Sequence, residues 1–248
     1  MRPLPEGMNL LPVTDPHALT LVHRAAEDAI VGYSAANAPL EDQRRARTLT
    51  RLFTGAEGAA PFNSRVIAVV DDTASSLYGA VIVEAFAPAE LAEREPEVAR
   101  TMARTHYVLA GMFVHSSARG QGIGTLLLHE ASYQVASHQG RYLDGFVDQR
   151  NGSARFYARA GATMSGRNRG LPARPPSNVE LQHPGGHDGN WFYVDCWQRH
   201  QNLMRCARCR GPLTFNPADG GDLECARCGR PPVDESQPPS LTPTDPRG

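Results

Sequence analysis

Two groups of residues in this chain have the types and spacing to do chemistry. The first is Arg119-Gly120-Gln121-Gly122-Ile123-Gly124, followed by Thr125 and a run of apolar residues at helical intervals. Glycines let a backbone approach a ligand with no Cβ in the way. The first turn of a helix offers N–H groups without intrahelical partners and a partial positive charge. Arg119 adds a cation that hydrogen-bonds phosphate well. Together these make a cradle for a diphosphate. Gly120, Gly122 and Gly124 recur every second residue, which does not fit the Gly-x-Gly-x-x-Gly turn of dinucleotide-binding folds. No lysine follows them, which excludes a Gly-Lys-Ser/Thr phosphate loop. On the glycines alone, a helix start that merely packs tightly remains an equal reading.

The second group is four cysteines. Cys206-Ala-Arg-Cys209 and Cys225-Ala-Arg-Cys228 are separated by fifteen residues. Each pair places two thiolates on one tight turn, and two such turns complete a tetrahedron around Zn²⁺. A four-thiolate site has no open position, so the metal is structural. The pattern is that of a zinc ribbon, with short strands expected at 213–215 and 222–224, folding only with its metal. Its arginines are offset by Asp219, Asp222, Glu224 and the thiolates around the metal, so a protein partner suits it at least as well as a nucleic acid. Cys196 stands apart in an aromatic stretch and reads as a buried thiol. His183, His187 and His200 lack ligand spacing.

The elements that must position these groups alternate in type. Strand patterns fall at 8–13, 65–70, 77–86, 107–114, 141–147 and 189–197. Helical patterns fall at 17–33, 40–53, 122–138 and 153–160, and the charged segment 87–104 is helix-permissive but interrupted by Pro88 and Pro96. A hairpin comes first and a strand-helix-strand-helix unit follows, which is a mixed α/β order. The expected organisation is a domain over 1–200, the ribbon over 204–232 and a Pro-rich, polar, disordered tail over 233–248. The 248 residues carry a formal net charge of -1, which argues against a dominant attraction to nucleic acid or anionic membranes. No apolar run approaches the roughly 20 residues of a membrane helix. The proline-broken first 20 residues lack the features of an export signal, so the cytosol is expected, where paired cysteines read as metal ligands before disulfides.

The stretch Arg119 to Gly124 resembles the Arg/Gln-x-x-Gly-x-Gly/Ala signature of the GNAT superfamily of N-acetyltransferases, as does the strand end Met112-Phe113-Val114-His115 before it. A second block, Asn151-Gly-Ser-Ala-Arg-Phe156-Tyr157-Ala-Arg-Ala-Gly161-Ala162, resembles the family's Asn-x-x-Ala-x-x-Phe-Tyr-x-x-x-Gly-Phe segment. It has one residue fewer before the Phe-Tyr pair, and Ala162 stands where the closing Phe is usual. The resemblance spans about residues 7–198, with the first third alike only in its order of elements.

The resemblance implies a central mixed sheet splayed between two parallel strands, here 107–114 and 141–147, with acetyl-CoA in the opening. Phe113 and Val114 would meet the pantetheine arm through their backbones. Arg119, Gly120, Gln121, Gly122, Ile123, Gly124 and Thr125 would hold the diphosphate. Asn151 would contact the cofactor or cap its helix. Gly111 would mark the bulge that opens the strands, and Tyr157 would protonate the departing thiolate. The base is open: Glu84 is a candidate, and His106 and His115 flank the cofactor strand but read as structural. The implied activity is transfer of an acetyl group to a primary amine of a small molecule or protein. Two other readings stay open: an acyl-CoA-sensing regulatory protein, and an acetyltransferase acting on a nucleic-acid-bound substrate such as charged tRNA, met by the ribbon and by Arg44, Arg45, Arg47 and Arg51.

Overall fold

The computed structural model describes residues 4–56, 60–200, 213–215 and 223–225. The chain divides into two units, Met1–Leu203 and Met204–Gly248. In the first, β1 (Met8–Pro12), α1 (Pro16–Ala29) and α2 (Ala38–Phe53) precede the strands β2 (Ser64–Asp71) and β3 (Leu77–Ala85). The helices α3 (Ala89–Arg94) and α4 (Pro96–Thr105) lead into β4 (His106–Val114), and α5 (Ile123–Ser137) carries the chain from β4 to β5 (Tyr142–Asp148). Then come α6 (Ala154–Arg159), β6 (Thr163–Met164), the hairpin of β7 (Leu171–Arg174) and β8 (Val179–Leu181), β9 (Gly189–Asp195) and α7 (Cys196–Arg199).

One seven-stranded sheet runs in the order β1-β2-β3-β4-β5-β9-β6. Its neighbours are antiparallel except β4 and β5, the parallel pair that α5 connects. Successive residues of a strand face opposite sides, and β3 shows which helix takes which side. A Cβ on Gly79 would meet Leu127 and Ile123 of α5. The next residue, Ala80, packs with Val22 and Ala26 of α1, together with Val66, Ala68 and Ile82. Thus α1 and α5 cover opposite faces, and the fully buried Val69, Val81, Val83, Leu127 and Leu128 lie in the layers between.

Local chemistry explains where the elements begin and end. Asp15 caps α1 through the Ala18 N–H, and Pro16 fills the first helical position. The helix expected to reach Tyr33 stops at Ala29, because Ile30 is extended and Gly32 takes φ +83. A left-handed residue cannot continue a right-handed helix, and glycine adopts that region freely. The helix-permissive 87–104 segment is two helices, since Pro96 holds Glu95 outside the helical region at φ -140, ψ 70. The last strand ends at Asp195, whose carboxylate caps the Gln198 N–H, so Cys196 opens a short helix rather than lying in the strand. The segment between Gly166 and Gly189 contains the β7–β8 hairpin.

Of the second unit, the described residues are β10 (Leu213–Phe215) and β11 (Leu223–Cys225). They pair antiparallel, with Leu213 opposite Cys225 and Phe215 opposite Leu223.

Candidate active site

The site begins with a gap in the sheet. β4 and β5 pair over three rungs: His106 with Tyr142, Tyr107 with Leu143, and Val108 with Asp144. Beyond Val108 the strands share no further rung. On its other side β4 stays paired with β3 as far as Val114, and the register slips between Gly111 and Leu109, which leaves Ala110 as the extra residue of a bulge. The bulge therefore sits next to Gly111, where one was expected, and bends β4 away from β5. His115 N–H donates to the Tyr78 carbonyl. Backbone groups of alternate residues point to alternate edges, so Phe113 spends its N–H and C=O on β3, while those of Met112 and Val114 face the gap. Phe113, expected to offer its backbone to a ligand, instead packs its side chain on the α1 core. Met112 takes that position beside Val114.

The glycine-rich turn stands at the mouth of this gap. A 3-10 turn at Ser116–Ala118 leads into Arg119, and Gly120 and Gly122 both have positive φ, +79 and +88. Gly122 caps α5 in the left-handed region. The Leu126 N–H donates to the Gly122 carbonyl, so the amides of Ile123, Gly124 and Thr125 open the helix without intrahelical partners. Arg119 Nε donates to the Val114 carbonyl at 3.2 Å, which ties the turn to the end of β4. Gln121 holds the Ser117 carbonyl at 3.4 Å. Gly124 has its own reason: a Cβ there would lie 3.3 Å from the Phe156 ring and 3.7 Å from Val114. Three stretches distant in sequence, the end of β4, the first turn of α5 and α6, thus meet at one point.

Tyr157 follows Phe156 in α6. Its ring stacks on Phe192 of β9 at 4.1 Å between centroids, and Phe192 in turn fills the space beside Gly145 of β5. Gly145 is the first residue of β5 past the last rung with β4, so Tyr157 stands over the start of the opening. Burial pushes its phenol well above the usual range, so it is protonated at neutral pH and able to donate. Asn151 does not cap its helix: its Oδ1 accepts from the Val31 N–H at 3.2 Å.

The α1 face carries a different set of groups. Glu84 lies two residues after Ile82, on the same side of β3, and Arg45 of α2 meets its Oε2 at 2.6 Å. Arg45 also binds Asn63 and Asp42. Burial raises the Glu84 carboxyl above its ordinary value, with Arg45 pulling the other way. Tyr33 reaches Gly111: a Cβ there would lie 3.4 Å from the Tyr33 ring. The Tyr33 hydroxyl is 2.6 Å from His23 Nδ1. Burial, followed by Glu84, raises the Tyr33 phenol, and burial lowers His23 against the pull of Asp42. Neither residue stood out in the sequence; the signal that could have found Tyr33 is Gly32, which ends the helix just before it.

The two histidines at the ends of β4, His106 and His115, have partners within the fold. His106 is fully buried, with Nδ1 2.8 Å from Asp144 Oδ2 and Nε2 3.0 Å from Ser177 Oγ. This chain has the order of an acyl-transfer triad, but Arg174 takes the other Asp144 oxygen at 2.7 Å. Arg174 is itself held between the rings of Tyr142 and Tyr193, so the network fastens the β7–β8 hairpin to the sheet. His115 caps the Ser116–Ala118 turn and contacts Ser117. Three arginines of α2 have acidic partners within the fold, Arg44 with Glu41, Arg45 with Glu84 and Arg51 with Glu93. A cavity of 460 Å³ lined by Leu11, Val13, Phe62, Arg65 and Glu130 lies toward the β1 edge, away from the gap.

A mixed sheet opened between its one parallel pair, with a glycine-bent helix start at the opening, is the GNAT fold. Residues 65–161 match the family model described as "Acetyltransferase (GNAT) domain". No curated protein matches the sequence. Among solved structures, a GNAT-family protein from Desulfovibrio desulfuricans is 17% identical at a TM-score of 0.49, covering 76% of this chain and 99% of its own. YncA from Salmonella typhimurium, with its cofactor acetyl-CoA, is 12% identical at a TM-score of 0.48, covering 77% and 95%. Spermidine N-acetyltransferase from Vibrio cholerae, in complex with CoA and spermine, is 12% identical at a TM-score of 0.45, covering 77% and 96%.

Cys206, Cys209 and Cys228 lie outside the described residues, as does the 233–248 tail, and Cys225 is the last residue of β11. Among the described residues, no group of three or more His, Cys, Asp or Glu could hold a metal ion.

Proposed function

We propose that this protein transfers the acetyl group of acetyl-CoA to a primary amine of a small molecule or protein. The observation that carries the reading is the pair of unpaired strand edges beyond the Val108–Asp144 rung, facing the glycine-bent start of α5. The N–H and C=O of Met112 and the N–H of Val114 suit the amides of a pantetheine arm, the Val114 carbonyl being held by Arg119. The amides of Ile123, Gly124 and Thr125, with Arg119 above Gly120, Gln121 and Gly122, suit a diphosphate through hydrogen bonds and the positive end of the helix. Asn151 borders the same opening through Val31. Such a cradle points the thioester into the gap, where Gly145 and Tyr157 stand.

In the reaction, the amine nitrogen attacks the thioester carbon and coenzyme A leaves as a thiolate. Tyr157, kept protonated by burial, supplies a proton to the sulfur. Glu84 lies two residues after Ile82, whose side chain a Cβ on Gly111 would meet, and we assign it the attraction of the ammonium group. Calorimetric titration with acetyl-CoA, followed by thiol release with a panel of primary amines, tests the reading. Binding with amine-dependent release is expected, and no affinity for any acyl-coenzyme A overturns it.

For the second unit, we infer from the spacing of Cys206, Cys209, Cys225 and Cys228 a structural Zn²⁺ site in a module that suits a protein partner. One zinc per chain by elemental analysis, lost in Cys206→Ser, is expected; metal-free purified protein contradicts it.

A further inference from the structure

Acetyl transfer from a thioester needs a free amine lone pair. An amine with a lysine-like pKa of about 10.4 is uncharged in only on the order of one part in a thousand at neutral pH. Some group must therefore take a proton as the acceptor arrives. Glu84 is poorly suited to that step, since Arg45 binds one of its carboxylate oxygens at 2.6 Å.

The loop between α1 and α2 offers another group. Val31 bonds to Asn151, just after β5, at 3.2 Å. Two residues later, Tyr33 lies against Gly111 of β4. The loop therefore spans the opening between the two splayed strands, on the side away from α5. Its tyrosine hydroxyl is 2.6 Å from His23 Nδ1, with the rings stacked at 11°. His23 belongs to α1 and is half-buried, so its other ring nitrogen is within reach of water. The charged groups acting on the pair are Asp42 on His23, and Glu84, Arg45 and Glu27 on Tyr33. Three of these four are carboxylates, which favours an ammonium acceptor.

We propose that Tyr33 and His23 form the proton relay of the acceptor side, with Tyr33 touching the amine and His23 positioning and deprotonating it. This rests on the acetyl-transfer reading above. The acceptor ammonium gives one proton to the Tyr33 oxygen while the Tyr33 proton passes to His23 Nδ1, and His23 later releases a proton to water. The freed nitrogen attacks, the C–N bond forms and the C–S bond breaks. The thiolate takes a proton from Tyr157, which regains one from the proton the new amide nitrogen sheds. The products are the acetamide, free coenzyme A and one proton in solution. Burial supports the direction, because it keeps His23 neutral and thus able to accept.

Two measurements on the full-length protein test the relay. Nitrogen-15 spectra of the His23 ring report its tautomer without any acceptor. The relay needs Nε2–H with Nδ1 bare; a proton on Nδ1, donated to Tyr33, overturns it. With acetyl-CoA and an amine that wild type acetylates, Tyr33→Phe is expected to lower kcat/KM about 100-fold at pH 7. The deficit closes as pH rises toward the amine's own pKa, where no base is needed. Acetyl-CoA affinity and Tm stay near wild type. His23→Ala shows the same pH-shaped deficit, relieved by added imidazole. A deficit of equal size at every pH, or none, overturns the relay and leaves acetyl transfer standing. Failure of wild type to bind acetyl-CoA removes the transferase reading and the relay with it.

Discussion

Single residues at this site are set by burial and by what they stack on. Tyr157 is 6% exposed, faces Phe192 and is held protonated. Tyr157→Phe keeps the stacked ring and removes only the hydroxyl, so steady-state kinetics should show kcat reduced about 100-fold with acetyl-CoA binding nearly unchanged. Unchanged turnover removes Tyr157 from the reaction. Much of this was legible: the Phe-Tyr pair and the Arg119 to Gly124 turn are short, local patterns that survive without knowledge of the fold. Partners across the fold were not. Asn151 bonding Val31, Arg45 bonding Glu84 and Tyr33 meeting His23 depend on packing between elements, and no spacing in the sequence encodes them.

At the scale of elements, the start of α5 depends on a backbone that L-residues resist. Gly122 sits at φ +88 as the helix cap. Gly122→Ala is expected to cost roughly 1–2 kcal/mol of stability and to weaken acetyl-CoA at least tenfold, because the amides of Ile123 to Thr125 lose their aim. Paired thermal melts and calorimetry check both effects; equal affinity would mean that the turn does not hold the diphosphate. Strands and long helices were readable from alternation and apolar spacing, and the order of the sheet-forming segments emerged from them. The β7–β8 hairpin was not, since Leu171 and Leu181 are the single buried apolar residues of two very short strands. What fixes it is Arg174 on Asp144 and Ser177 on His106, contacts to residues tens of positions earlier. The end of α1 was missed for a simpler reason: the apolar spacing runs on through Ile30, while Gly32 decides the backbone.

For the whole molecule, His200 is an expected source of acid sensitivity. His200 bonds Ser132 at 2.9 Å, and burial, then His129 and Arg199, bring its pKa down to about 4. The unfolded chain binds that proton near pH 6.5 and the folded chain does not until about pH 4. This group's contribution is therefore complete above pH 6.5 and is lost as pH falls toward 4. Denaturation curves across that window should flatten in His200→Asn, and an unaltered slope would assign the acid limb elsewhere.

The three-rung seam between β4 and β5 sets two strand edges side by side whose backbone groups do not pair with each other. Pantetheine carries two amide groups along an extended arm, which makes it a natural lodger there. Its arrival would complete the ladder from β1 through to β6 and turn two loosely joined wings into one continuous surface. Substrate would then act as a piece of scaffolding, and the protein would be at its most rigid at the moment it is loaded, with hydrogen exchange slowing first at the Met112 and Val114 amides.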